Sequence, residues 1–335
     1  MTRSRSIALR GNFDESNFGD DALLLASSRL LSQAQSQLYV LGSYSFPDPR
    51  LEKVEASNEL LSDTGLIVHG GGTQFFSFDE SQPPNLVQTW ILDPLRLAKR
   101  RLLPGVPRIG IGLGLGPFGN NTRQRSEIAN LLKTMPFVWV RDDDSMSFCN
   151  RENVRGAFRS ADLCFTSAFR ENLPAVSSQP ESNTEPSVAV VLRDWIYSSP
   201  HWYSDVTQAM EKVRAEGISV EYFSFAPTDQ ESLKLLVQND EQVVCWPGPD
   251  TDLETFWQRL VKHSLIVTAR YHGGVFALLS ETPFLTINIE PKLEQLGSQI
   301  SNAEHIDLTD NPGQMSEKIL SALRRIPVLK EDTSS

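Results

Sequence analysis

Short, almost unbroken apolar runs recur along this chain, and an amphipathic stretch follows most of them. The runs read as strands: SIALRG (6–11), QLYVLGS (37–43), GLIVHGG (65–71), RIGIGLGLG (108–116), FVWVRD (137–142) and ADLCF (161–165). DALLLASSRLLSQ (21–33) and TRQRSEIANLLKTM (122–135) read as helices between them. Strands apolar on both sides are expected where helices cover both faces of a parallel sheet. Strand–helix alternation of this kind specifies a doubly wound α/β architecture.

The rhythm breaks over 166–186, where ENLPAVSSQPESNTEP is rich in Pro, Ser, Asn and Glu. It then resumes with SVAVVLRDW (187–195), ISVEYFSFA (218–226), QVVCWPG (242–248), LIVTARYHG (265–273) and FLTINIE (284–290), and SEKILSALRRI (316–326) is the last helix. The expected organisation is therefore an α/β lobe over 1–170, a linker at 171–186, a second α/β lobe over 187–327 and a tail at 328–335. Two lobes of this kind imply a cleft between them. The length of 335 residues agrees, at about 150 residues per domain.

With Lys plus Arg at 31 against Asp plus Glu at 42, the formal net charge is −11. That argues against a general nucleic-acid or anionic-membrane binder, although one cleft can still focus cations. Only Ile7, Ala8 and Leu9 are apolar in succession near the start, too few for a signal-peptide core. No run approaches the roughly 18 apolar residues of a membrane span, so no anchor is encoded. Cys149, Cys164 and Cys245 form neither a disulfide framework nor a zinc site. Cys164 and Cys245 read as small core residues of strands. The expectation is a cytoplasmic protein.

Ligands of open α/β sheets bind where strand ends meet helix N-termini, and four such places carry suggestive residues. In GNFDESNFGDDALLLA (11–26), Asn17, Gly19, Asp20 and Asp21 open a helix. An N-cap explains one carboxylate there; ligand contact explains the group together. In HGGGTQFF (69–76), Gly70, Gly71 and Gly72 follow a strand and point to an anion nest or a close substrate approach. Gly114-x-Gly116-x-x-Gly119 matches the dinucleotide fingerprint in form, but it follows the fourth strand and Pro117 occupies the turn. A phosphate- or sugar-facing loop fits it equally well. The fourth place is TARYHGG: Arg270 and His272 end a strand, and a helix begins at Gly273–Gly274. Arginine clamps a carboxylate or phosphate with paired hydrogen bonds, and histidine donates one or moves a proton. Arg193 ends its strand on the same kind of edge. Arg141 and Asp162 read as a structural ion pair; Trp195 and the His201–Tyr203 aromatics could face a sugar, but such residues are more often packing.

In order, Asn17-Phe18-Gly19-Asp20, His69-Gly70-Gly71-Gly72, Gly112 to Pro117, Arg141 to Ser145, Ser160-Ala161-Asp162 and Arg270 through Leu296 resemble the motif series of the polysaccharide pyruvyl transferase family. Tyr271 stands where that family commonly has Leu, and Gly273–Gly274 where Ala-type residues are frequent. The resemblance implies a fold like the two-lobed B-type glycosyltransferases. It implies an enzyme that moves pyruvate from phosphoenolpyruvate onto sugar hydroxyls as a cyclic ketal, releasing phosphate. The implied sugar acceptor is free, lipid-linked or polymeric, so location at the inner membrane face is compatible with it. On this basis Arg270, Arg193, Gly273 and Gly274 hold the donor. His272 is the acid, or else the hydrogen-bond donor to the phosphate bridge oxygen. The base is Asp20 or another carboxylate of the first lobe. Asn17, Gly19, Gly70, Gly71, Gly72, Gly114 and Gly116 lie on the acceptor or loop side. No metal or other cofactor is implied beyond phosphoenolpyruvate as co-substrate. The rival readings are a nucleotide-sugar glycosyltransferase or epimerase on the same fold, an NAD-dependent enzyme, and a non-catalytic sugar-binding relative.

Overall fold

The computed structural model describes residues 5–34, 36–44, 55–76, 105–171, 173, 185–193, 202–236, 243–247, 252–298 and 305–326. Most of the expected linker, the expected tail, Trp195 and His201 lie outside them. The chain divides into two compact units, Met1–Asp14 with Leu23–Glu171, and Glu15–Ala22 with Asn172–Ser335. The short segment Glu15–Ala22 therefore counts with the second unit, not with the first lobe as its position in the chain suggested.

The first unit is built on a seven-stranded sheet. Its strands are β1 (Ser6–Arg10), β2 (Leu38–Leu41), β3 (Glu55–Ser57), β4 (Thr64–Phe75), β5 (Arg108–Leu115), β6 (Val138–Val140) and β7 (Ala157–Arg159). They run in the order β3-β2-β1-β4-β5-β6-β7, and every pair is parallel. Helices α1 (Phe18–Ser32), α2 (Thr122–Lys133), α3 (Asp143–Arg151) and α4 (Ser167–Arg170) accompany it. Asn121 caps α2 and Asp142 caps α3, each through a side-chain oxygen that accepts a first-turn amide. One core layer joins Leu113, Val138 and Val140 of the sheet to Ile128, Leu132, Phe148 and Cys149 of α2 and α3.

Two expectations fail here for local reasons. ADLCF is not a strand: Asp162 caps a short 3-10 turn, Leu163–Phe165, by accepting the Cys164 amide at 3.1 Å. Cys164 is buried in that turn, and the strand lies earlier, at Ala157–Arg159. Nor do the three glycines follow their strand, because β4 continues through them to Phe75.

The second unit carries a six-stranded sheet of β8 (Ser187–Leu192), β9 (Ser219–Ser224), β10 (Val243–Cys245), β11 (Leu265–Thr268), β12 (Phe284–Ile287) and β13 (His305–Ile306). The order is β10-β9-β8-β11-β12-β13, again parallel in every pair. Its helices are α5 (Trp202–Ala215), α6 (Pro227–Leu236), α7 (Leu253–Val261), α8 (Tyr271–Leu279), α9 (Pro291–Ser298) and α10 (Pro312–Arg325). Both sheet faces are buried, which explains the continuous apolar strands. Val188, Val190 and Leu192 share one core with Val206, Met210, Met315 and Ile319 of α5 and α10, and Trp202 belongs to this packing. An aromatic cluster forms elsewhere in the unit: the Phe18 ring lies 4.7–5.3 Å from those of Phe225, Trp246, Phe256 and Phe276. Phe18 is fully buried.

At the amino edge of this sheet His263 joins two strands. Its Nε2 lies 2.8 Å from Glu221 Oε2 and its Nδ1 3.1 Å from Ser187 Oγ, while Arg259 Nη2 donates to Glu221 Oε1 at 2.6 Å. Burial alone would raise the Glu221 carboxyl, but the hydrogen bonds from His263 and Arg259 outweigh it and hold the group down at about 2. A depressed carboxylate stabilises the fold above its unfolded value and loses that contribution as pH falls through the folded one. Glu221→Gln is therefore expected to cost about 1–2 kcal/mol at pH 6 in denaturant unfolding, with the difference shrinking as pH drops from about 4.5 toward 2. Replacing Phe18 with Ala should cost about 3–5 kcal/mol in the same assay, the range for emptying an aromatic site in a core.

Candidate functional site

In each sheet the strand order reverses once, between β1 and β4 and between β8 and β11, and crevices at such points receive ligands in open α/β folds. In the second unit Val191 of β8 lies in register with Thr268 of β11. Two residues beyond that pair, on adjacent strands, stand Arg193 and Arg270. The turn into α8 is held by Thr268, whose Oγ1 accepts the Arg270 amide at 3.0 Å and donates to the Arg270 carbonyl at 2.8 Å. Arg270, in extended conformation, is the residue that caps α8, and His272 occupies its first turn.

Neither guanidinium is loose. Asp229, in the first turn of α6 beyond β9, takes Arg270 through both oxygens: Nη2 lies 2.6 Å from Oδ1 and 2.5 Å from Oδ2, with Nε at 3.1 Å. Glu290, beyond β12, takes Arg193 Nη1 at 2.6 Å and Lys292 Nζ at 3.0 Å, both on Oε1. The local strand order is β9-β8-β11-β12, so each pair reaches past one strand and the two pairs interleave. Burial, then the neighbouring Arg270 charge, lowers the Arg193 pKa, with Glu290 and Asp229 opposing. Burial would raise Glu290, but Lys292 and Arg193 prevail and hold it below its ordinary value. Asp229, Glu290 and Lys292 were not singled out individually from the sequence; the only signals were an acidic residue in a helix's first turn and the Pro291-Lys292 of the last motif.

Gly273 and Gly274 are required by packing. A Cβ at Gly273 would stand 2.2 Å from Thr268 Oγ1, and one at Gly274 would stand 2.5 Å from Leu296 Cδ2. The Gly273 amide already donates to the Arg270 carbonyl at 3.0 Å. Gly273 lets α8 sit close on β11 and Gly274 lets it pack against Leu296 of α9, and the following Val275, Phe276 and Ala277 are fully buried.

The structure groups the NFGD segment with this unit, against the expectation that Asp20 would be a first-lobe carboxylate. Asn17 Oδ1 accepts the Gly19 amide at 3.0 Å and the Asn17 carbonyl accepts the Asp21 amide at 2.8 Å, so Asn17 caps α1. Phe18 donates its amide to the Phe225 carbonyl at 2.9 Å. This docking brings Gly19 against His272: a Cβ at Gly19 would lie 2.1 Å from Nδ1 of the imidazole. Asn17, Gly19, Asp20 and His272 thus belong to one neighbourhood. Asp21 is buried, and its Oδ2 accepts Trp246 Nε1 at 2.8 Å. Burial lifts its carboxyl to about 7, the Trp246 hydrogen bond opposes that, and Asp20 adds to it.

The remaining candidates sit in the first unit. Gly70, Gly71 and Gly72 lie within β4; Gly71 and Gly72 have φ of +63° and +76°, which bend the strand. Gln74 Nε2 donates to the carbonyls of Gly70 and Gly71 at 2.8 and 3.0 Å. Gly114 is inside β5, and a Cβ there would press on Arg141 and Thr73 at 3.0 Å. Gly116 follows the strand and donates its amide to Phe75 at 2.8 Å. The next helix, α2, opens only at Thr122, so these glycines do not form the strand-to-helix turn of a dinucleotide fingerprint. Gly114 makes room for the buried Arg141, which bonds Asp162 Oδ2 at 3.0 Å and Thr73 Oγ1 at 3.1 Å, a structural ion pair.

A family model described as polysaccharide pyruvyl transferase matches residues 17–291, and the chain belongs to that family. No functionally curated protein matches the sequence. Among solved structures, the UDP-GlcNAc 2-epimerase of Methanocaldococcus jannaschii is similar with a TM-score of 0.59 at 12% identity, covering 96% of this chain and 92% of that one. S. aureus MnaA, in a co-structure with UDP, gives 0.62 at 10% identity over 95% and 87%. The UDP-GlcNAc 2-epimerase of Neisseria meningitidis gives 0.58 at 9% over 96% and 91%. At such identities the likeness is one of fold, that of the GT-B-type glycosyltransferases and epimerases. No helix among the described residues is long and apolar enough to cross a membrane.

Alanine is the better helix former by about 1 kcal/mol, so a stabilised Gly19→Ala would show that α1 ignores His272. The contact predicts the reverse, a lower thermal midpoint and a displaced His272 imidazole NMR signal. Asp21 works in the opposite sense to Glu221: a carboxyl raised in the folded state loses stability as pH climbs from about 4 to 7. Asp21→Asn keeps an acceptor for Trp246 and should match the parent near pH 4. It should then gain up to about 1.4 kcal/mol per pH unit, levelling off above pH 7.

Proposed function

We propose that this chain transfers pyruvate from phosphoenolpyruvate to hydroxyls of a saccharide acceptor as a cyclic ketal, with release of phosphate. The observation that carries this reading is the pair of braced arginines at neighbouring strand ends, with His272 in the helix turn beside them. Phosphoenolpyruvate presents a carboxylate and a phosphate, and two guanidinium groups at adjacent strands offer two forks for two anionic groups. Arg270 spends Nε and Nη2 on Asp229, leaving the Nη1 side of its fork for the donor. The start of α8 favours anions in addition, through its dipole.

Protonation of the donor's methylene carbon creates a methyl group and leaves C2 electron-poor. A sugar hydroxyl adds there, the C2–O bond to phosphate breaks, and a second hydroxyl closes the ring as both hydroxyl protons depart. His272 supplies the proton to carbon or a hydrogen bond to the bridging oxygen; Asp20, in the same neighbourhood, accepts one from the acceptor. The activated group resides in the donor, so the chemistry proposed calls for no resident cofactor. The acceptor, free, lipid-linked or polymeric, would lie against the NFGD segment.

Calorimetric titration of the purified chain with phosphoenolpyruvate, beside UDP-GlcNAc and NAD, tests the donor. Binding of phosphoenolpyruvate alone is expected, weakened in Arg270→Ala by about 1.5–3 kcal/mol, the scale of a charged hydrogen bond. Binding of UDP-GlcNAc instead, or donor affinity indifferent to Arg270, would overturn the reading.

A further inference from the structure

We propose that Asp229 and Glu290 are positioning residues of the donor site, holding the two guanidinium groups side by side without touching the donor themselves. The inference rests on assigning Arg193 and Arg270 to phosphoenolpyruvate. Adjacent strands are about 4.8 Å apart, so two cations at their ends repel, and their side chains would swing apart if nothing held them. Each has instead a buried carboxylate: the Asp229 and Glu290 side chains are only 1% and 7% exposed.

Burying a carboxylate is costly unless it is paired and its hydrogen bonds are met. Here one oxygen of Glu290 serves both Arg193 and Lys292, and both oxygens of Asp229 serve Arg270. The interleaving matters more than either bond. Asp229 draws Arg270 back over β8, and Glu290 draws Arg193 the other way over β11, so the two side chains lie antiparallel across the switch point. Three cations against two carboxylates leave one positive charge, so the braces orient the site without neutralising it.

A brace, a counter-ion and a purely structural pair predict different signs. If Asp229 and Glu290 only neutralised the arginines, removing their charge would tighten anion binding. If they only stabilised the fold, affinity would stay constant while the unfolding temperature fell. If they position the guanidinium groups, affinity must fall although the site becomes more cationic. The test is phosphoenolpyruvate binding to the full chain by calorimetry at fixed ionic strength, with thermal unfolding in parallel, for Asp229→Asn, Glu290→Gln and Asp229→Glu.

At least a tenfold rise in Kd is expected for Asp229→Asn and for Glu290→Gln, with partial recovery in Asp229→Glu. Tighter or unchanged binding in both of the first two variants overturns the inference. A parent chain that fails to bind phosphoenolpyruvate overturns the donor assignment itself, a result distinguishable from the others. Should Asp229→Asn fail to fold, Glu290→Gln decides alone, because Arg193 there keeps an amide oxygen as acceptor.

Discussion

Two like charges at the ends of neighbouring parallel strands are held in place by two buried carboxylates that reach past one another. Much of the second unit serves that arrangement. The reversal of strand order between β8 and β11 makes those two strand ends neighbours, and the Thr268 hydroxyl sets the turn from which Arg270 projects. Gly273 lets α8 lie close on β11 at that turn, and Gly274 lets it pack on Leu296 of α9. The carboxylates come from elements one strand further out on each side, so four consecutive strands contribute to one electrostatic unit.

The N-terminal segment adds a second constraint. Phe18 seats itself among four aromatic rings, and that seat presses Gly19 onto the His272 imidazole. Residues 253 positions apart in the chain, Gly19 and His272, thus set each other's place, and the missing side chain at Gly19 is what allows it. Asp21, buried next to this point with a carboxyl lifted to about 7, lowers the stability of the segment it anchors. Costly buried charge of this kind recurs at functional sites more often than elsewhere.

The architecture was legible in the residues because parallel strands buried on both faces must be apolar throughout, and that pattern is hard to imitate. Short edge strands such as Glu55–Ser57 and His305–Ile306 carry no such signal, and both were missed. ADLCF was read as a strand from composition alone, whereas Asp162 capping the Cys164 amide makes it a turn. The glycine triplet was placed after its strand, whereas β4 runs through all three glycines to Phe75. At the site, Arg270, His272 and Arg193 were visible because a strand end followed by a helix start announces itself locally. Asp229 and Glu290 were not, since their significance lies in whom they face across the sheet. Sequence separations of 41 and 97 residues hide those pairings.

The single Glu290 oxygen shared by Arg193 and Lys292 has a consequence for any mutational survey. Substitutions at Arg193, Glu290 and Lys292 act on one node, so their effects will not add. Loss of Lys292 takes one cation from Glu290, whereas loss of Glu290 removes a shared partner from both cations at once. Divergent family members should therefore change these three positions together or not at all, an epistatic triad whose members look unrelated along the chain.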